Sequence, residues 1–205
     1  MGDMSQASLV TDLKASLNDA AGVFTAAADA DFIRHLDMSA LDLGRFRPRT
    51  MLGSITLTAE KVDYPAPTDF LSYKAAIWGT TRPKPWDKTW PGKLPEARVA
   101  ENTGALELHL IPAPNATQIA VLGSTYKFYY FARHAIGATA ANTSVQPGDR
   151  GLLLLRAQAE AMKELAARNV KKPVQMRDGI SGGAKNGTPA YLFEALMEQF
   201  ERAAA

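Results

Sequence analysis

Leu9, Leu13 and Leu17 recur every four residues, with Val10 beside them. This spacing predicts an amphipathic helix over about 5–17, with Ser5 or Ser8 as its N-cap. A small-residue stretch over 18–28 breaks the period around Gly22. Phe32, Leu36, Ala40 and Leu43, widened by Ile33, then predict a second helix over about 29–44. Asp29 is its candidate N-cap, Gly44 its expected end, and Pro48 forbids its continuation.

The period then changes. Ile55, Leu57 and Ala59 alternate with Ser54, Thr56 and Thr58, which predicts a hairpin over about 52–64 turning near Glu60. Phe70, Tyr73, Lys74 and Ile77 fall at helical spacing and predict a third helix over about 68–78. Residues 79–98 hold Pro83, Pro85, Pro91 and Pro95 together with Trp86 and Trp90. A loop of this length that carries two tryptophans is expected to lie against its own domain or another chain. A β region over about 105–136 follows. In it Leu106, Leu108 and Leu110 alternate with Glu107 and His109, residues 112–115 turn, and Ile119 begins the return. Tyr126, Phe128 and Tyr130 share one face of the last strand, and Lys127, Tyr129, Phe131 and Arg133 share the other.

Pro147, Gly148 and Asp149 open a Leu/Ala-rich helix over about 148–169, with Leu152, Leu155, Ala159, Met162 and Ala166 as its stripe. Lys171, Lys172 and Pro173 are expected to stop it. Gly179, Gly182, Gly183 and Gly187 make a hinge composition. Thr188 and Pro189 then cap a last helix over about 189–202, with Leu192, Leu196 and Phe200 on one stripe and Phe193 and Met197 beside it. The predicted architecture is α+β and mainly helical: a helical bundle with a short β-hairpin, an inserted antiparallel β region and a C-terminal helical arm. The expected domains are a body, 1–170, that folds without the tail, and a hinged arm, 171–205.

Composition narrows the function classes. The 205 residues carry 23 Lys+Arg against 21 Asp+Glu, too balanced for a chain that only coats nucleic acid. The absence of cysteine excludes disulfides, thiolate chemistry and Cys-ligated zinc. The longest bulky run, 152–155, is far short of a membrane span, and Asp3 stands where a secretory leader would carry a basic residue. The chain is expected to be made in a cytoplasm, with no membrane partner.

Candidate chemistry is sparse. No nucleophile motif is present, and no carboxylate pair is justified by spacing for acid/base work. The stretch 179–185 resembles a phosphate loop but has Ala184 where a glycine belongs and Asn186 in place of Ser/Thr. His35 has Asp31 four residues before it, which reads as a polar pair on a helix surface rather than as a ligand set. His109 and His134 lie on predicted strands, with Glu107 on the face of His109. A metal site needs a further convergent ligand that linear sequence does not supply, so no metal, cofactor or catalytic residue is expected. Arg45, Arg47 and Arg49 alternate around Phe46 and either track phosphates or pair with Asp37, Asp42 or a neighbouring subunit.

Several of these segments together resemble one family. The early helices end in Leu41-Asp42-Leu43-Gly44-Arg45-Phe46-Arg47-Pro48. A hairpin runs from Gly53-Ser54-Ile55-Thr56-Leu57-Thr58 to Tyr64-Pro65-Ala66-Pro67-Thr68-Asp69-Phe70. Phe128-Tyr129-Tyr130-Phe131-Ala132-Arg133-His134 precedes the Leu/Ala-rich helix, and Thr188-Pro189-Ala190-Tyr191-Leu192-Phe193 opens the last one. In this order of elements the chain resembles the head-to-tail adaptor (connector, or neck) proteins of tailed bacteriophages. The proline- and Trp-rich loop and the long β region are additional to the family's minimal pattern.

The resemblance implies a non-enzymatic structural protein of the virion neck, made in the host bacterial cytoplasm. It implies a homo-oligomeric ring, usually a dodecamer, that binds the portal on one face and the tail or a stopper protein on the other, with viral DNA passing through. Under it, Tyr191, Leu192, Phe193, Leu196, Met197 and Phe200 are the expected portal-docking residues. Trp86, Trp90, Tyr129 and Phe131 are expected to meet a neighbouring protein, and Arg45, Arg47 and Arg49 to line the channel or join subunits. Two other classes remain open at this level: a small-molecule enzyme using the β region as a pocket with His109 and His134, and a non-specific DNA-binding module led by the three arginines.

Overall fold

The computed structural model describes residues 3–79, 84–88, 90–168 and 188–205. The predicted hinge, the basic stop at 171–173 and the stretch resembling a phosphate loop lie outside the described residues. The elements run α1 (Gln6–Leu17), α2 (Ala30–Phe46), β1 (Arg49–Thr56), β2 (Asp63–Pro65), β3 (Phe70–Ala76), β4 (Glu96–Asn102), β5 (Ala105–Ile111), α3 (Ala116–Leu122), β6 (Thr125–Ala132), α4 (Arg150–Arg168) and α5 (Pro189–Ala204). The architecture is mixed α+β. It divides as Met1–Arg47 with His134–Ala205, which hold four of the helices, and Pro48–Arg133, which hold the strands and α3. The division therefore falls at the two ends of the β-rich segment and not at the predicted boundary near 170.

In the helical unit, Ser5 accepts from the Ser8 amide at 3.4 Å and caps α1, whose Leu9, Val10, Leu13 and Leu17 are buried. α2 buries Phe32, Leu36, Ala40 and Leu43. It runs two residues past Gly44, which does not end the helix but lies within it against His134. α4 has no single apolar stripe. Its most buried line is Leu153, Ala157, Ala161 and Leu165, while the predicted Leu152, Leu155 and Met162 are half-buried against the same core. The reason is position: α1, α2 and α5 all pack on α4, so its burial extends around most of its circumference.

α5 begins as predicted, with Thr188 accepting from the Tyr191 amide at 3.3 Å and Pro189 in the first turn. Its inward line, however, is Met197, Phe200 and Ala204. A strict four-residue spacing such as Leu192, Leu196, Phe200 drifts about 40° around the helix per step, whereas mixed three- and four-residue steps hold one face. Phe200 is fully buried in the chain's own core, edge-on to Phe46 at 5.4 Å. The last helix thus packs as a wall of the helical unit.

The strand unit contains two antiparallel three-stranded sheets, β1-β6-β3 and β2-β5-β4, which share one core. The predicted hairpin over 52–64 does not form. β1 pairs with β6 and β2 with β5, so the turn around Glu60 passes the chain from one sheet to the other. Tyr64 closes that turn by accepting from the Thr58 amide at 3.0 Å and donating to the Thr58 carbonyl at 3.2 Å.

The segment predicted as a third helix is strand β3. Two bulges, between Phe70 and Ser72 and between Tyr73 and Ala75, each add a residue to the repeat of two. Phe70, Tyr73 and Ala76 consequently pair with Ala132, Tyr130 and Phe128, a spacing of three that imitates a helix. Residues 119–122, expected to start a strand, belong to α3, which Asn115 and Gln118 open with a reciprocal capping box. β4 occupies the end of the predicted loop and joins β5 through Thr103 and Gly104, both at positive φ. β6 has the predicted alternation, with Tyr126, Phe128, Tyr130 and Ala132 buried. Gly53 lies under the Phe128 ring, where a Cβ would come within 2.7 Å of Cζ, so a side chain at this position requires the ring to move.

Candidate protein-interface surfaces

The three alternate arginines have three different environments. Arg47 donates to the carbonyls of Ala203 at 3.1 Å and Ala204 at 3.4 Å, and it pairs with Asp149. It thereby satisfies the open carbonyl end of α5 and sits at the negative end of that helix. Arg49 pairs with Asp69 at 3.5 Å within the strand unit. Arg45 pairs with Asp42 at 3.0 Å and keeps 78% of its side chain exposed.

α2 and α4 meet through a seam of buried and half-buried polar groups that the sequence pattern shows only in hindsight. His35, Ser39 and Asp42 lie at i, i+4 and i+7 on α2, while Arg156, Glu160 and Glu164 lie at i, i+4 and i+8 on α4. Arg156, buried, binds Asp42 through Nε at 2.8 Å and Nη2 at 2.6 Å, and its Nη2 lies 2.9 Å from Glu160. His35, also buried, donates from Nε2 to Glu164 at 2.8 Å. Burial opposes ionisation of Glu160, but hydrogen bonds from Lys163 and Arg156 and their charges hold its carboxyl below the usual range. Burial likewise opposes ionisation of Glu164, and His35, Arg168 and Arg34 together outweigh it.

His134 donates from Nε2 to the Arg47 carbonyl at 2.9 Å, within the helical unit, and joins the two points at which the chain leaves and re-enters that unit. His109 is in the strand unit, beside Asp63 and Glu107. Each histidine of the predicted pocket thus has its own partners in a different unit.

The β1-β6-β3 sheet has two unlike faces. On the inner one, Tyr130 donates to Asp69 at 2.8 Å; burial, then this bond, pushes its hydroxyl up to about 12. Burial, reinforced by the 3.1 Å contact with Tyr73, raises the Tyr126 hydroxyl further. On the outer face, Leu52 and Tyr129 are directly opposed, with Thr50 and Phe131 the next pair along. Leu52 is 53% and Tyr129 39% exposed, and the Lys74 ammonium lies 5.1 Å from the centre of the half-buried Phe131 ring. Trp86 is 77% exposed, with the Lys84 ammonium 5.3 Å from its ring centre. Trp90 instead lines a cleft of about 780 Å³ with Trp78, Leu94, Pro95 and Tyr126, and Trp78 donates to the Gly123 carbonyl at 2.9 Å.

Of the predicted docking residues on α5, Phe200 and Met197 face inward, Phe193 and Leu196 are half-buried, and Tyr191 and Leu192 are each 38% exposed. Among the described residues, no helix is long and apolar enough to cross a membrane.

No protein-family model matches the chain, and no curated protein matches it. Two solved structures align with most of its length. A chain from the neck of an empty GTA particle, computed with C6 symmetry, is 16% identical, with 91% of this chain and 87% of that chain covered and a TM-score of 0.30. A chain from the neck of a native GTA particle, computed with C12 symmetry, is 13% identical, with 91% and 89% covered and a TM-score of 0.29.

Proposed function

We propose that the chain is a structural neck protein of the phage head-to-tail adaptor type. Copies of it form a ring that joins the portal to the tail or to the next neck protein, and DNA passes through. The order of elements that resembles this family suggests the reading. The observation that carries it is the outer face of the β1-β6-β3 sheet, where a leucine and a tyrosine stand paired in solvent while the inner face already fills the core. Covering each of these side chains contributes about 1.5–3 kcal/mol before ordering costs, enough for a contact repeated around a ring.

In this reading Tyr129, Phe131 and Trp86 meet a neighbouring protein. Tyr191 and Leu192, flanked by Phe193 and Leu196, form the portal contact on the outward side of α5. Arg45 is the arginine left for a subunit or the channel, since Arg47 and Arg49 serve their own units. The test is complementation of neckless heads with a Leu52→Asp/Tyr129→Asp double variant. The variant is expected to keep the circular dichroism of the parent and to lower the fraction of tailed particles by about tenfold or more, because charge in a covered apolar contact costs several kcal/mol. Tailed particles at the parental level would remove this face from the assembly.

A further inference from the structure

The outer face of the β1-β6-β3 sheet is cationic as well as apolar. Its three strands contain no Asp or Glu. Lys127 shares the face of Tyr129 and Phe131. Arg133 continues that alternation one residue beyond β6, where its amide donates to the Asp69 carbonyl at 2.8 Å. Lys74 reaches the same face from β3, over the Phe131 ring and 3.5 Å from the Thr50 hydroxyl. All three cations are exposed, and none makes an ion pair among the described residues. Leu52 and Tyr129 stand in solvent between them. A surface of this kind is matched by one that offers carboxylates and little bulk.

α5 presents such a surface. Glu194, Glu198 and Glu201 are exposed and recur at steps of four and three residues, which keeps them on one flank of a helix that turns about 100° per residue. Leu192 and Leu196, proposed for the portal contact, fall on the opposite flank. Glu198 pairs with Arg202 at 2.5 Å, while Glu194 and Glu201 make no ion pair among the described residues. Ala190, exposed one turn before Glu194, adds no bulk, so the helix backbone can come close to an apolar neighbour. The basic face belongs to the strand unit and the acidic flank to the helical unit. Each copy therefore carries both halves of a heterologous contact, the kind that closes into a ring or runs on as a filament.

We propose that the acidic flank of α5 in one copy covers the outer face of the β1-β6-β3 sheet in the next. The carboxylates meet Lys74, Lys127 and Arg133, and the helix lies across Leu52 and Tyr129. This inference rests on the ring reading and names the two faces that neighbouring copies share. A base stacked on the sheet displaces the Lys74 ammonium from the Phe131 ring, whereas a carboxylate meets that ammonium where it is, so the geometry favours a protein over single-stranded nucleic acid.

The test is sedimentation velocity of the full chain and of two charge-reversed variants that keep the parent's circular dichroism. One is Lys127→Glu/Arg133→Glu on the sheet, the other Glu194→Lys/Glu201→Lys on the helix. The parent is expected to self-associate as its concentration rises, and less so at high salt. Either variant alone should raise the dissociation constant by about tenfold or more, because like charges then face each other. An equimolar mixture of the two should associate again, since every helix then finds a sheet of opposite sign. A parent that stays monomeric up to about millimolar concentration would overturn the interface. So would a mixture no more associated than its components. Binding of a thymidine oligonucleotide that the sheet variant loses, with self-association unchanged, would overturn it in favour of nucleic acid. Variants that still add the parent's density beneath the portal of neckless heads would overturn this interface and leave the neck reading standing.

Discussion

Replacing Arg156 by Met will destabilise the helical unit by about 3–5 kcal/mol at neutral pH. The guanidinium is 5% exposed and serves two carboxylates, Asp42 and Glu160, whose side chains are only 16% and 14% exposed. Methionine fills similar volume, so the loss comes chiefly from removing the buried cation, which leaves Asp42 with Arg45 and Glu160 with Lys163 as their remaining, more exposed partners. Removing Arg156 also takes away part of what holds the Glu160 carboxyl below its usual range. The difference between variant and parent should therefore shrink as pH falls toward the carboxylate range. In the parent, Glu160 and Glu164 are held below their usual range, so their contribution is present above the unfolded pKa and is lost as pH falls. Urea titrations followed by helical circular dichroism at two pH values measure both effects. A loss below about 1 kcal/mol at neutral pH would show that the seam is not a coupled unit.

Phe200→Ala is expected to cost about 3–5 kcal/mol, the range for emptying a buried aromatic site. The ring is fully buried in the helical core and lies edge-on to Phe46. Tyr191→Ala, on the opposite side of the same helix, should change stability by no more than about 0.5 kcal/mol. Thermal unfolding of the two variants separates a helix that is part of the core from one that is held only by a partner. Equal, small effects would return α5 to the role of a detached arm.

The elements legible from the sequence are those with one uninterrupted period. Leu9, Leu13 and Leu17 in α1, Phe32 to Leu43 in α2, and the Tyr126, Phe128, Tyr130 alternation in β6 all bury the side that their spacing selects. The failures have local causes. Bulges gave β3 a spacing of three, and a turn that resembles a hairpin end instead exchanges sheets at Glu60. β4 is an edge strand with nearly every residue exposed, so burial left almost no pattern in it. α3 carried a readable signal, Asn115 with Gln118 three residues on, which the prolines at 112 and 114 obscured. The outer-face aromatics Tyr129 and Phe131 were readable because β6 has aromatics on both faces. The Asp63–His109 contact was not, because it arises only through a strand pairing that no local pattern encodes.

The neck reading stands or falls on where the chain goes when portal-bearing heads are present. Electron microscopy of such heads before and after incubation with the purified protein tests this most directly. The account predicts added ring-shaped density beneath the portal, with α5 on the portal side. Heads that look the same with and without the protein would contradict it.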